Sequence, residues 1–103
     1  MADRGWKAYE RRVARLLGTQ RIPVTGERAG ADCRTAMFAV QIKKRATVPG
    51  YLTRWVDGIR QAGAAHGLTG IVVMQLPHRA DLDSLVVLSL RDWIDLHGPA
   101  GRA

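Results

Sequence analysis

The run Phe38-Ala-Val-Gln-Ile-Lys43 limits what this chain can fold into more than any other stretch. Strand side chains leave alternately on opposite faces, so Phe38, Val40 and Ile42 share one apolar face, which must be laid against a core. The opposite face carries Ala39, Gln41 and Lys43, placing an amide and an ammonium two residues apart. A carboxylate, Asp32, lies a short loop upstream. The demand for a core and a candidate for chemistry thus fall in one hairpin-sized segment.

The elements around it can be read from hydrophobic periodicity. Over residues 5–17, Trp6, Tyr9, Val13, Leu16 and Leu17 recur at helical spacing, with Lys7, Arg11, Arg12 and Arg15 on the other side. The pattern predicts an amphipathic helix with Asp3 at its start and Gly18 at its end. At about 100° per residue, Glu10 projects within or at the border of the apolar stripe, where a carboxylate needs a reason.

Residues 21–26 read as a strand, with Pro23 marking an edge position or a strand end. A loop at 26–30 follows, then a strand beginning near Ala31-Asp32, a turn at Thr35-Ala36 and a third strand over 37–44. Val48-Pro-Gly breaks the chain before a helix from 51 to about 66, whose face is Leu52, Trp55, Val56, Ile59, Ala62 and Gly63. Gly58 and Gly63 weaken this helix by about 1 kcal/mol each relative to Ala, so packing must hold it.

The apolar run 70–77 reads as a strand covered on both faces, 78–83 as a polar connection and 85–88 as the last strand. Ser89 and Asp92 form an S-x-x-D cap for a final helix over 90–96. Trp6, Trp55 and Trp93 are spaced as core residues of the three helices. The resulting order is helix, three strands, helix, two strands, helix, an α/β arrangement with a central sheet flanked by helices. With 103 residues the chain has room for a single domain, read here as 1–97 with a frayed tail at 98–103.

Composition bears on the partner. Sixteen Lys and Arg against nine Asp and Glu leave a formal charge of +7, which favours nucleic acid, where each cation laid on a phosphate releases counterions. No apolar run approaches the roughly 20 residues needed to cross a bilayer, and the first residues lack the apolar core of a signal peptide. Cys33 stands alone, so an internal disulfide and a Cys-based zinc site are excluded. Its ordinary role is a small buried filler, and a reducing cytoplasm fits.

Glu10 on a helix, Asp32 at the start of a strand, and Gln41-Ile-Lys43 on the next resemble the PD-(D/E)xK phosphodiesterases. That pattern is an Asp, a variable loop, then an acidic residue, any residue and Lys on a hairpin, usually with a Glu from the preceding helix. The order of elements is most similar to the archaeal-type Holliday junction resolvases, which bacteria and phages carry in related forms. The resemblance covers residues 6 to about 96 as an architecture, but its residue signature is only D-x8-Q-x-K and the helix Glu.

It implies a restriction-endonuclease-like α-β-β-β-α-β-β-α fold with a central mixed sheet. The implied activity is a cytoplasmic Mg²⁺-dependent DNA endonuclease, with Mn²⁺ as a substitute. Asp32 would be the principal metal ligand, Gln41 would take the place of the second acidic ligand, and the main-chain carbonyl of Ile42 could add a third. Lys43 would be the catalytic lysine, and Glu10 a further ligand or one acting through water. Thr25 and Arg28 on the loop before Asp32, and Arg11, Arg12, Arg15, Lys44, Arg45 and Arg54, are the candidates for contacting branched DNA. Two symmetric cuts imply a homodimer, with 71–76 and 85–88 as candidate contact segments.

Gln41 departs from the pattern, because its amide oxygen brings no charge. Three accounts stay open: a natural variant whose missing charge comes from Glu10 or Glu27, a fold disarmed for catalysis that still binds DNA, and a substitution made to trap a complex. Each residue also has an ordinary alternative. Glu10 can also be read as a solvated helix residue, Asp32 as the start of a turn, Gln41 and Lys43 as outward strand residues, and the basic runs as solvated faces.

Overall fold

The computed structural model describes residues 5–22 and 31–98. Among the described residues, three helices and two small antiparallel sheets give a mixed α/β arrangement. In chain order these are α1 (Gly5–Leu16), β1 (Cys33–Arg34), β2 (Ala39–Val40), α2 (Gly50–Ala64), β3 (Val72–Met74), a short 3₁₀ turn (Asp81–Asp83), β4 (Leu85–Val87) and α3 (Leu90–His97). The chain divides into two compact units, the first comprising Met1–Ala46 and Leu96–Ala103 and the second Thr47–Asp95.

In the first unit, α1 buries Glu10, Val13 and Ala14, and Leu17 continues the same stripe just beyond its end. The helix stops where Gly18 takes a φ of +75°, a conformation glycine adopts without steric cost. The Thr19 N–H then reaches the Ala14 carbonyl at 2.9 Å and the Gly18 N–H that of Arg15 at 3.0 Å, closing the helix with a Schellman motif. Thr19 Oγ1 donates to the Arg34 carbonyl at 2.8 Å, tying the helix end to β1.

The hairpin β1–β2 pairs Cys33 with Val40 and Arg34 with Ala39. Its turn is closed by the Thr35 N–H on the Phe38 carbonyl at 2.9 Å, while Thr35 Oγ1 accepts from the Phe38 N–H at 2.9 Å. The ladder is shorter than the expected strand over 37–44, but burial still alternates along it. Phe38 and Val40 are half-buried and Ile42 is buried, whereas Ala39, Gln41 and Lys43 are exposed. With Val13, Ala14, Leu17, Ala31 and Cys33, Ile42 completes the buried apolar core.

Of the strand expected over 21–26, the described residues include only Arg21 and Ile22. They are not in a ladder, although the Ile22 N–H donates to the Asp32 carbonyl at 2.8 Å. The rest of that strand, the loop carrying Thr25, Glu27 and Arg28, the start signal at Asp3 and the end of the tail lie outside the described residues.

The second unit packs α2 on β3, which pairs with β4 in the register Val72–Val87, Val73–Val86 and Met74–Leu85. Gly70 lets the chain pass close to the α2 backbone at Ile59, where a Cβ would have no room. Ser89 caps α3 as its spacing predicts, with Oγ accepting the Asp92 N–H at 3.1 Å. Arg60 of α2 and Asp92 of α3 form an ion pair at 2.7 Å.

The mixed α/β character is as expected, and the described strands pair as two two-stranded antiparallel sheets. Two expectations are corrected. The segment containing β3 is not covered on both faces, since Ile71 and Val73 are 45% and 62% exposed. Trp6 and Trp55 are not core residues either, at 42% and 49% exposure, while Trp93 is half-buried. The physical reason for Trp55 is width: a two-stranded ladder covers only a narrow stripe of α2. Leu52, Val56 and Gly63 are half-buried, but Tyr51, Trp55 and Ile59 remain exposed.

Candidate metal and phosphodiester site

The first unit has two buried charged residues among those described, and they are Glu10 and Asp32, at 6% and 7% exposure. Helical spacing accounts for Glu10, which leads the i, i+3, i+4, i+7 stripe completed by Val13, Ala14 and Leu17. Asp32 is fixed by main-chain bonds on both sides of its residue. Its N–H donates to the Val40 carbonyl at 2.7 Å, its carbonyl accepts from Ile22, and its carboxylate Oδ2 accepts the buried N–H of Ile42 at 2.5 Å. The carboxylate is therefore held across the hairpin at the point where the β2 ladder ends.

These groups meet at one cavity of about 430 Å³, lined by Trp6, Glu10, Asp32, Gln41, Ile42, Lys43 and Lys44. All four residues that the sequence marks for catalysis thus border the same space, from α1, from the start of the hairpin and from its end. The alternation along 38–43 explains how this arises. It sends Ile42 into the core and leaves Gln41 and Lys43 exposed on the other side, while the Ile42 backbone meets Asp32.

Glu10 has a partner that the sequence reading missed. Arg21 Nε donates to Glu10 Oε1 at 2.7 Å, with the two side chains 15% and 7% exposed. The Arg21 guanidinium also lies 5.7 Å from the centre of the Trp6 ring, and its Nη2 is buried without a hydrogen-bond partner among the described residues. The available signal was Glu10 itself, since a carboxylate inside an apolar stripe calls for a cation to offset its desolvation. Helix neighbours such as Lys7 were the nearer candidates in sequence.

Burial also governs Cys33, which is fully buried. Loss of solvation pushes its thiol pKa up, and the negative charge of Glu10 pushes it further the same way. Cys33 is a neutral core filler in this setting.

Of the expected DNA-contacting cations, Lys44 lines the cavity; Arg11, Arg12, Arg15 and Arg45 are exposed but do not line it, and the Arg12 guanidinium lies 5.7 Å from the centre of the Tyr9 ring. Arg54 is exposed on α2 in the second unit. No group of three or more His, Cys, Asp or Glu side chains comes together among the described residues. What the cavity offers is two carboxylates, an amide oxygen and a main-chain carbonyl, with two lysines beside them. No helix among the described residues is long and apolar enough to cross a membrane. No protein-family model, curated protein or solved structure matches the chain.

Proposed function

We propose that this chain is a metal-dependent DNA endonuclease that cuts four-way or otherwise branched DNA, with its chemistry carried by the first unit. The observation behind this reading is the convergence of Glu10, Asp32, Gln41, Ile42 and Lys43 on one cavity, with both carboxylates buried. Burying two carboxylates costs several kcal/mol each unless they are compensated, and a fold that needed only stability would place apolar groups there.

The donor set fits a hard divalent cation. Mg²⁺ is commonly bound through one or two carboxylates, completing its shell with water and substrate phosphate, so Asp32, Glu10, the Gln41 amide oxygen and the Ile42 carbonyl would suffice. When bound, Mg²⁺ or Mn²⁺ neutralises charge developing on the phosphate and acidifies water.

The remaining work falls to the chain's own groups. The Ile42 N–H orients the Asp32 carboxylate before any ligand arrives. Lys43 supplies an ammonium at the cavity that positions the attacking water and favours its hydroxide form. Trp6 lines the cavity beside Glu10. Arg11, Arg12, Arg15, Lys44 and Arg45 supply the cations for backbone phosphates, consistent with the charge of +7. In this reading the first unit is the catalytic part of a restriction-endonuclease-like fold, and two cuts across a junction require a homodimer.

Cleavage of a labelled four-way junction beside a matched linear duplex tests the proposal, with Mg²⁺, Mn²⁺ or EDTA. The expected result is metal-dependent cutting of the junction that falls by about 100-fold or more in Lys43→Met. Salt-dependent DNA binding with no cleavage under any metal would replace this reading with its rival, a DNA-binding protein disarmed at Gln41.

A further inference from the structure

Glu10 is doubly claimed. In the metal reading above its carboxylate belongs to the cation, yet in this structure Oε1 accepts a 2.7 Å hydrogen bond from Arg21. The guanidinium brings a full positive charge to that oxygen, which opposes a second cation there. Lys43 and Lys44 border the same cavity, so with Arg21 three cationic side chains face the two buried carboxylates, and the cavity does not need a divalent cation at Glu10 to balance its charge. Compensation of Arg21 is itself incomplete, because Nη2 is buried with no hydrogen-bond partner among the described residues. A pair of this kind opens readily to a ligand that offers the guanidinium several acceptors at once, as a phosphate does.

We propose that Arg21 is a built-in counterion that competes with the divalent cation for Glu10, so that the free protein binds metal through Asp32 and its neighbours without Glu10. Glu10 joins the metal only once Arg21 lets it go, which makes Arg21 a positioning residue controlling how far the site is assembled. This inference rests on the metal reading and deepens it.

Mn²⁺ binding to the full chain, followed by loss of the free-ion electron paramagnetic resonance signal, tests it without any cleavage. Arg21→Gln is expected to bind Mn²⁺ about tenfold more tightly than wild type, the factor that corresponds to removing one competing charged hydrogen bond. The double variant Glu10→Gln/Arg21→Gln, whose net charge equals that of wild type, is expected to lose that gain. Unchanged affinity in Arg21→Gln, or a gain that persists in the double variant, would overturn the proposal. Should Arg21→Gln fail to fold by circular dichroism, Arg21→Lys takes its place, with a smaller gain expected from the loss of the Nε hydrogen bond and the same two results overturning the proposal. Asp32→Asn separates the two layers of inference. If Mn²⁺ binding responds to Asp32 but not to Arg21, the counterion role fails and the metal site stands; if it responds to neither, the metal site itself fails.

Discussion

The two units spend their burial differently. In the first, a small set of apolar groups, Val13, Ala14, Leu17, Ala31, Cys33 and Ile42, is buried together with Glu10 and Asp32. In the second, α2 and α3 have no buried residues, and Tyr51, Trp55, Ile59, Ile71, Val73, Leu85 and Val86 are exposed. A unit with apolar surface to spare keeps its charges outside, while a unit with little core closes that core around two carboxylates. The contrast singles out the first unit, where two carboxylates are buried and each is held by a partner, Glu10 by Arg21 and Asp32 by the Ile42 N–H.

Core truncation should break the comparison most sharply. Leu17→Ala, at a side chain 2% exposed, is expected to cost about 2–5 kcal/mol, against roughly 1 kcal/mol or less for Trp55→Ala in the second unit. Urea denaturation of both variants checks the difference, and equal losses would mean that Trp55 is covered in solution.

Much of this was legible from periodicity. The three helices fall close to their predicted positions because each has a stripe and a stop or cap signal: Gly18 ends α1, and Ser89 starts α3. The placement of Gln41, Ile42 and Lys43 was legible because period-2 alternation fixes their faces even where the ladder stops. Sheet pairing was not legible, because which strands hydrogen-bond depends on non-local contacts that the 37–44 and 70–77 patterns do not encode. Arg21 was missed for the same reason: its partner Glu10 is distant in sequence and is reached only when α1 and the segment after it fold together.

A smaller effect should appear with pH in the second unit. The hydrogen bond from Arg60 holds the Asp92 carboxyl below its ordinary range, helped by the Ser89 hydroxyl. The unfolded chain therefore takes up that proton first as pH falls. The stabilisation is complete above the usual Asp pKa of about 3.9 and disappears as pH drops through the lowered folded value. Comparing wild type with Asp92→Asn by thermal melts from neutral to acid pH should show their difference closing in that window. A difference that persists unchanged in acid would rule out the ion pair as its source.

The smallest expected change is chemical. With its thiol buried and its pKa raised, Cys33 should react with iodoacetamide far more slowly in the native chain than in urea. Equal rates would show that the first unit's core opens freely, and would sharpen the contrast in the opposite direction.

Asp32→Asn tests most directly whether the buried carboxylates serve chemistry and not folding, when its melting temperature and its junction cleavage are measured on the same preparation. The amide oxygen of the variant can still accept the Ile42 N–H, so stability should stay within about 1 kcal/mol of wild type. Metal-dependent cleavage should fall by roughly 100-fold or more. Cleavage at the wild-type rate in a stably folded Asp32→Asn protein would contradict the assignment of this cavity as the catalytic site.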